Sequence, residues 1–268
     1  MLPLAVARAC AALLLMSSLS GWHLSLVMAD DSKGYPTRPA LIVPSVLGGW
    51  EATRRNEFNH YNQLLINVNA KLDFVFIGDS ITHFWLLHQY FDHIDVTLVN
   101  RGIGGDTPAN ILNRFESDVI QLHPRYVHVW TGINELWNAD AKALEAIPET
   151  AARIRTIAQR ATAARITPIL CSVTPLAEAG LHKPPSRKVE EPTERSVNQA
   201  VPVLNQQIRE IARELNGIYV DYYSGVLDET GQRLRPGYTD DGVHFNDTGK
   251  KQLTKILRHT LAERGIKI

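Results

Sequence analysis

The chain has 268 residues, 44% of them hydrophobic and 21% charged, and its 28 basic and 28 acidic side chains cancel. A chain of this length buries about 70% of the surface its unfolded form exposes, so a core needs neither metal nor disulfide to hold it. Balanced charge removes the electrostatic footprint of a nucleic-acid partner, and none is expected.

In chain order, residues 1–29 come first, with Arg8, the apolar run Ala9–Met16, and Val27-Met28-Ala29 ahead of two aspartates. A basic start, a short apolar region and small residues at a cleavage point outline a signal peptide, so the mature protein is expected to be exported, secreted or periplasmic. Ser17, Ser18 and Gly21 break the apolar run well short of the roughly 20 residues that span a bilayer, so no stable membrane span is expected. Residues 30–49 are rich in Pro and Gly and read as an extended N-terminal arm. From residue 50 to 268 a single domain is expected.

That domain opens with Phe58, Tyr61, Leu64, Leu65 and Val68 at helical spacing, which predicts an amphipathic helix over 50–68. Five short β-prone segments follow, at 74–78, 96–100, 126–130, 167–173 and 217–221. Helix-compatible stretches lie between and after them, at 107–119, 142–164, 197–215 and 247–264. Such alternation predicts a three-layer α/β/α, doubly wound fold around a five-stranded parallel sheet, flavodoxin-like in type. Ligands of such sheets sit at the carboxyl ends of the strands. Residues 178–195, charged and Pro-rich, read either as a solvated loop or as a flap beside the substrate cleft.

Cleavage after residue 29 would leave Cys171 as the one cysteine, in the apolar run ITPILCSV where a small core residue is expected. His83, His88 and His93 recur at fives, which spreads them around a helix, and His123 and His128 flank a strand. With no HExxH or paired-cysteine pattern present, neither metal nor cofactor is expected.

Four segments, at strand ends or in loops, are candidates to carry chemistry. Gly78-Asp79-Ser80 ends the first strand; it suits either a helix N-cap or a serine hydroxyl displayed at the sheet edge. Asn100-Arg101-Gly102-Ile103-Gly104-Gly105-Asp106-Thr107 ends the second. Its glycines suit a plain turn or a loop that aims amides at an anion, and without a following Lys-Ser/Thr it is no phosphate loop. Asn134, after the third strand, could close an Asx-turn or donate its amide N–H to a developing oxyanion. Asp241-Gly242-Val243-His244 could be a surface turn, or a carboxylate folded back onto an imidazole Nδ1, with Asp240 as a competing orienter. Each has a bland alternative, but together they supply nucleophile, oxyanion donors, base and orienter, in order, on one edge of the sheet.

These segments resemble the signature blocks of the SGNH hydrolases, the GDSL esterases and lipases, over nearly everything from Trp50 onward. The resemblance implies Ser80 as nucleophile, His244 as base, Asp241 as its orienter, and Gly105, Asn134 and the Ser80 amide as the oxyanion hole. NRGIGGDT followed by TGINE is most similar, within that family, to members like the catalytic subunit of platelet-activating-factor acetylhydrolase and its bacterial relatives, which lean toward short acyl chains. Two residues depart from the pattern: Glu135 stands where many members have Asp or Asn, and Phe245 where a proline often follows the histidine. The expected substrate is a small ester, an acetylated carbohydrate or a lipid-like ester, hydrolysed through an acyl-serine. O-acyl transfer with the same triad, lysophospholipid cleavage and thioester cleavage stand as alternatives. The residues carry no signal for a particular oligomeric state. Because the base must be neutral, activity is expected to fall in acid as the imidazole takes up a proton.

Overall fold

The computed structural model describes residue 41 and residues 50–91, 95–178 and 190–268. The expected signal peptide, nearly all of the N-terminal arm and positions 179–189 of the charged loop lie outside the described residues.

Five strands form the sheet: β1 (Phe74–Gly78), β2 (Leu98–Gly102), β3 (Tyr126–Trp130), β4 (Thr167–Cys171) and β5 (Ile218–Val220). All pair in parallel, in the order β2-β1-β3-β4-β5, which is the flavodoxin-like order. Central β1 is buried at all five positions, which is why it is a continuous apolar run instead of an alternating one. The order in which strands are added across the sheet reverses between β1 and β3, so the segments leaving β1, β2 and β3 converge at that crevice.

The helices are α1 (Trp50–Asn67), α2 (Ser80–His83), α3 (Leu87–Tyr90), α4 (Pro108–Asp118), α5 (Ile133–Asn138), α6 (Ala143–Ala163), α7 (Glu191–Glu214), α8 (Tyr222–Val226) and α9 (Asp247–Ala262). Helices α4, α6 and α7 pack side by side, with α1 against α4; α9 packs with α8 and α3. An aromatic cluster fills the space beneath α2 and α8. Phe76 stacks on His128 at 4.4 Å between ring centres, and Trp130 lies 4.5 Å from Tyr222, with Trp85 edge-on to all four. Burial pushes the pKa of His128 down to about 3, so it sits in this cluster as a neutral ring, within reach of the Tyr222 hydroxyl and Cys171 Sγ. Cys171 is a core residue, as its apolar run implies.

Three expectations need correction. Helix α1 forms, but its predicted apolar stripe is split: Phe58 is buried and Leu65 half-buried, while Tyr61, Leu64 and Val68 are 56%, 46% and 71% exposed. Arg55 and Asn62 turn inward beside Phe58, because α4 presents the buried carboxylate of Asp118, which needs cationic and amide partners. Strand β2 runs two residues later than its apolar pattern, because Arg101 and Gly102 continue the ladder opposite Ile77 and Gly78. Helix α7 begins six residues before its expected start at 197, its first turn being the charged Glu191-Pro192-Thr193-Glu194, where Pro and acids suit a helix N-terminus.

Candidate active site

Gly78 closes β1 against the neighbouring strand so tightly that a Cβ there would lie 2.4 Å from the Trp130 carbonyl oxygen. Only glycine fits, and the chain then turns at once into α2. Asp79 caps that helix, its carboxylate accepting from the Ile81 amide at 2.9 Å, so Ser80 becomes the first helical residue. The two alternatives read from the sequence are therefore both present: Asp79 is the cap, and Ser80 is displayed. Asp79 is wholly buried, and this drives its pKa up to about 7 despite the Ile81 amide.

Ser80 Oγ lies 2.8 Å from His244 Nε2, and His244 Nδ1 lies 2.6 Å from Asp241 Oδ2. A carboxylate facing Nδ1 holds the proton on that nitrogen and leaves the Nε2 lone pair for the serine hydroxyl. The other Asp241 oxygen accepts from the amides of Val243 and His244 at 2.9 and 2.8 Å. Burial alone would raise the Asp241 pKa, but the bonds from His244 and from these amides outweigh it and hold the carboxylate below its ordinary range. Thr239 Oγ1 accepts from the Asp241 and Gly242 amides, and Asn246 caps α9 directly afterwards, so the whole turn is tied at both ends. Asp240 is exposed and meets Asn246, so of the two aspartates it is Asp241 that faces the imidazole.

Phe245, the departure from the family pattern, is buried beside Trp130 with ring centres 5.9 Å apart, and thereby anchors the histidine turn to β3. Phe84 meets the His244 ring edge-on at 5.3 Å.

Gly105 has φ +79 and nothing within 4 Å of where a Cβ would stand, so its backbone faces open space. Asn134, in the first turn of α5, donates one amide hydrogen to the Asp106 carbonyl at 2.9 Å and keeps a second for another acceptor. That bond ties the loop after β2 to the helix after β3. Thus Ser80, Gly105, Asn134, Asp241 and His244 all lie at the strand-end crevice, in the loops and first turns that leave β1, β2, β3 and precede α9.

Behind this loop lies a network that motif reading missed. Arg114 donates to the Gly78 carbonyl, the Arg101 carbonyl, Asp106 Oδ2 and Asp118 Oδ2, at 3.1, 2.7, 2.7 and 2.8 Å. One guanidinium so joins the end of β1, the end of β2 and the glycine loop. Asp118 also takes both terminal nitrogens of Arg55 and the amide of Asn62 at 2.7 Å. Burial would raise its pKa, yet Arg114 and Arg55 outweigh that and lower it. The only available signal was the i, i+4 spacing of Arg114 and Asp118 on a predicted helix, which reads equally well as a surface pair.

Glu135, next to Asn134, is half-buried with Arg153 no nearer than 3.8 Å. Desolvation lifts its pKa to about 7, Arg153 only partly offsetting this and Asp79 adding to it. Beside His244 opens a cleft of about 470 Å³.

A family model for the GDSL-like lipase/acylhydrolase family matches residues 76–252. The solved structure of a GDSL-like lipase from Bacteroides thetaiotaomicron VPI-5482 is 28% identical, covers 80% of this chain and 99% of that one, and superposes with a TM-score of 0.66. A protein of Bacteroides fragilis NCTC 9343 described as an acylhydrolase is also 28% identical, over 81% of this chain and 99% of its own, with a TM-score of 0.63. The acetylxylan esterase of Geobacillus stearothermophilus is 36% identical over 52 residues, 19% of this chain and 24% of that esterase's length. Its solved structure, 23% identical over 71% of this chain and 94% of its own, shares the fold with a TM-score of 0.54.

Proposed function

Because the chain belongs to the GDSL-like lipase/acylhydrolase family, and is by that membership a carboxylic ester hydrolase, we propose that it cleaves short-chain, chiefly acetyl, esters through an acyl-enzyme on Ser80. The observation that carries this reading is the hydrogen-bonded file from Ser80 through His244 to Asp241, at 2.8 and 2.6 Å. The sequence match to an acetylxylan esterase supports acetyl as the acyl group.

In the first half-reaction His244 Nε2 takes the Ser80 proton as Oγ bonds to the ester carbonyl carbon. The negative charge that develops on the carbonyl oxygen is received by the Ser80 and Gly105 amides and by the second Asn134 N–H. Asp241 stays ionised and stabilises the imidazolium. The carbon–oxygen bond to the alcohol then breaks, and the departing oxygen takes the proton from Nε2. In the second half-reaction water gives its proton to Nε2 and attacks the acyl carbon. Collapse releases the carboxylic acid and returns the proton to Ser80. Export after cleavage near Ala29 would place this chemistry on material outside the cytoplasm, and the N-terminal sequence of the recovered protein tests that part.

The test of the activity is hydrolysis of p-nitrophenyl esters of increasing chain length by wild type and Ser80→Ala. Cleavage of short esters by wild type alone is expected. No cleavage of any ester, or equal cleavage by both proteins, would overturn the reading.

A further inference from the structure

The cleft beside His244 has an uneven charge. It is lined by the half-exposed apolar side chains Phe84 and Leu86, by Phe245, and by two cations, Arg54 and Lys250. Among the described lining residues the one carboxylate, Asp241, is engaged by His244. His83, also in the lining, has its pKa lowered to about 4, first by burial and then by Arg54 and His244, so it is a neutral ring at pH 7.

Arg54 is held in a fixed pose. Its Nε–H donates to the Gly102 carbonyl at 2.8 Å and its guanidinium carbon lies 4.9 Å from the centre of the Phe58 ring, at the end of the strand that leads into the oxyanion loop. Lys250 lies in the first turns of α9, just past the histidine turn. Burial lowers the pKa of both cations, and for each the nearest acids only partly compensate: Glu57 for Arg54, Asp247 and Asp240 for Lys250. Asp247 itself is taken by Lys251 at 2.7 Å and by the Tyr90 hydroxyl at 3.0 Å. Among the described residues neither Arg54 nor Lys250 has a carboxylate within ion-pair distance. Two partly desolvated cations around the cleft, neither with a carboxylate at ion-pair distance among the described residues, make a place for an anion brought by something else.

We infer that this cleft receives the alcohol part of the ester, and that the alcohol carries an anionic group, a carboxylate or a phosphate, held by Arg54 and Lys250 with the adjoining carbon skeleton against Phe84 and Leu86. This rests on the esterase reading above and goes beyond it, by naming the charge of the leaving alcohol. Arg54 and Lys250 are then specificity residues: they recognise the substrate away from the reacting carbon.

The experiment compares kcat/KM for three acetyl esters of one aryl frame: 4-acetoxybenzoate, 4-acetoxybenzamide and 4-acetoxyphenyl phosphate, each divided by its rate with hydroxide. Wild type should favour an anionic ester over the amide by about tenfold. That preference should shrink toward parity as ionic strength rises from about 0.01 M to about 1 M. Arg54→Gln and Lys250→Gln should each lower the ratio several-fold, and a ratio is not moved by a general loss of folded enzyme. The benzoate and phosphate arms decide which anion is preferred. A wild-type ratio near one, a ratio insensitive to salt, or a ratio untouched by both substitutions overturns the inference. Should wild type cleave p-nitrophenyl acetate but none of the three, this inference alone falls; should it cleave no ester, the esterase reading falls first and takes this one with it.

Discussion

Around Ser80 the polar groups stand in single file and half-buried, each touching the next and the last opening on the cleft. Around Asp118 they branch: two arginines and an asparagine converge on one carboxylate that solvent does not reach, and Arg114 extends the web to two strand ends and the glycine loop. Both assemblies use carboxylates hydrogen-bonded to nitrogen donors, the second lying behind the glycine loop that borders the first. In the first, one face of the reactive group is left for a substrate, so its members contribute little to holding the fold. In the second every lone pair of the carboxylate is met, and removing one member leaves buried charges with no partner. Reactivity and rigidity are thus assigned to separate, adjoining sets of side chains, and substitutions should tell the two apart.

The largest separation is expected from Ser80→Ala. Ester hydrolysis should drop by about 10⁴ to 10⁶-fold with the denaturant midpoint nearly unchanged, and parallel kinetics and urea unfolding would check both halves. Asp118→Ala should do the reverse. Unfolding free energy should fall by about 3–5 kcal/mol, since Arg55 loses its buried counter-charge and Arg114 keeps only Asp106, while the surviving folded enzyme still turns over. A variant as stable as wild type would mean that water replaces the carboxylate and that the web is not structural.

Asn134→Ala lies at the seam between the two. It removes the proposed oxyanion donor and also the tie to the Asp106 carbonyl, so kcat should fall by about 10² to 10³-fold with KM much less affected. A fall confined to KM would assign Asn134 to ground-state binding. The smallest effect is expected from Glu135→Gln, and it depends on pH. The folded-state pKa of about 7 lies above the ordinary glutamate value, so the folded protein binds more protons than the unfolded chain between those limits, and wild-type stability declines as pH rises through that window. Glutamine cannot ionise. The variant should therefore gain about 1–3 kcal/mol over wild type at pH 8 and almost nothing at pH 4, as read from urea unfolding at both. An equal difference at the two pH values would show that the carboxylate is not desolvated.

The reactive file was the more legible of the two in the sequence, for a physical reason. Ser80, Gly105 and Asn134 follow strands whose short apolar runs stop at Gly, Asp or Asn, and Asp241 and His244 lie three residues apart before a helix, so each could be marked as a candidate from its local sequence even though each also had a bland alternative. Asp118 and Arg55 are 63 residues apart and meet only when α1 lies on α4. No local pattern distinguishes them from solvated charges. The same web explains the misread face of α1, where Tyr61 and Leu64 set the apolar period while Arg55 and Asn62 are the residues drawn inward. It explains the late end of β2 as well: Arg101 looks like the start of a loop, yet its guanidinium donates to Asn62 Oδ1, and this side-chain anchorage keeps the backbone in the ladder. Leu86, Arg54 and Lys250 were silent for a different reason, since nothing about an exposed leucine or a helix-borne cation says which cleft it borders.

The hydrogen bond between His244 and Ser80 joins positions 164 residues apart, whereas Asp241 and His244 lie within a single turn. During refolding the base and its orienter need only local chain closure to meet, whereas the nucleophile must be brought to them across a 164-residue separation, which is expected to happen later. Regain of hydrolysis should therefore lag behind regain of helical circular dichroism, making catalysis a late clock of folding and leaving partly folded chains silent toward their substrates.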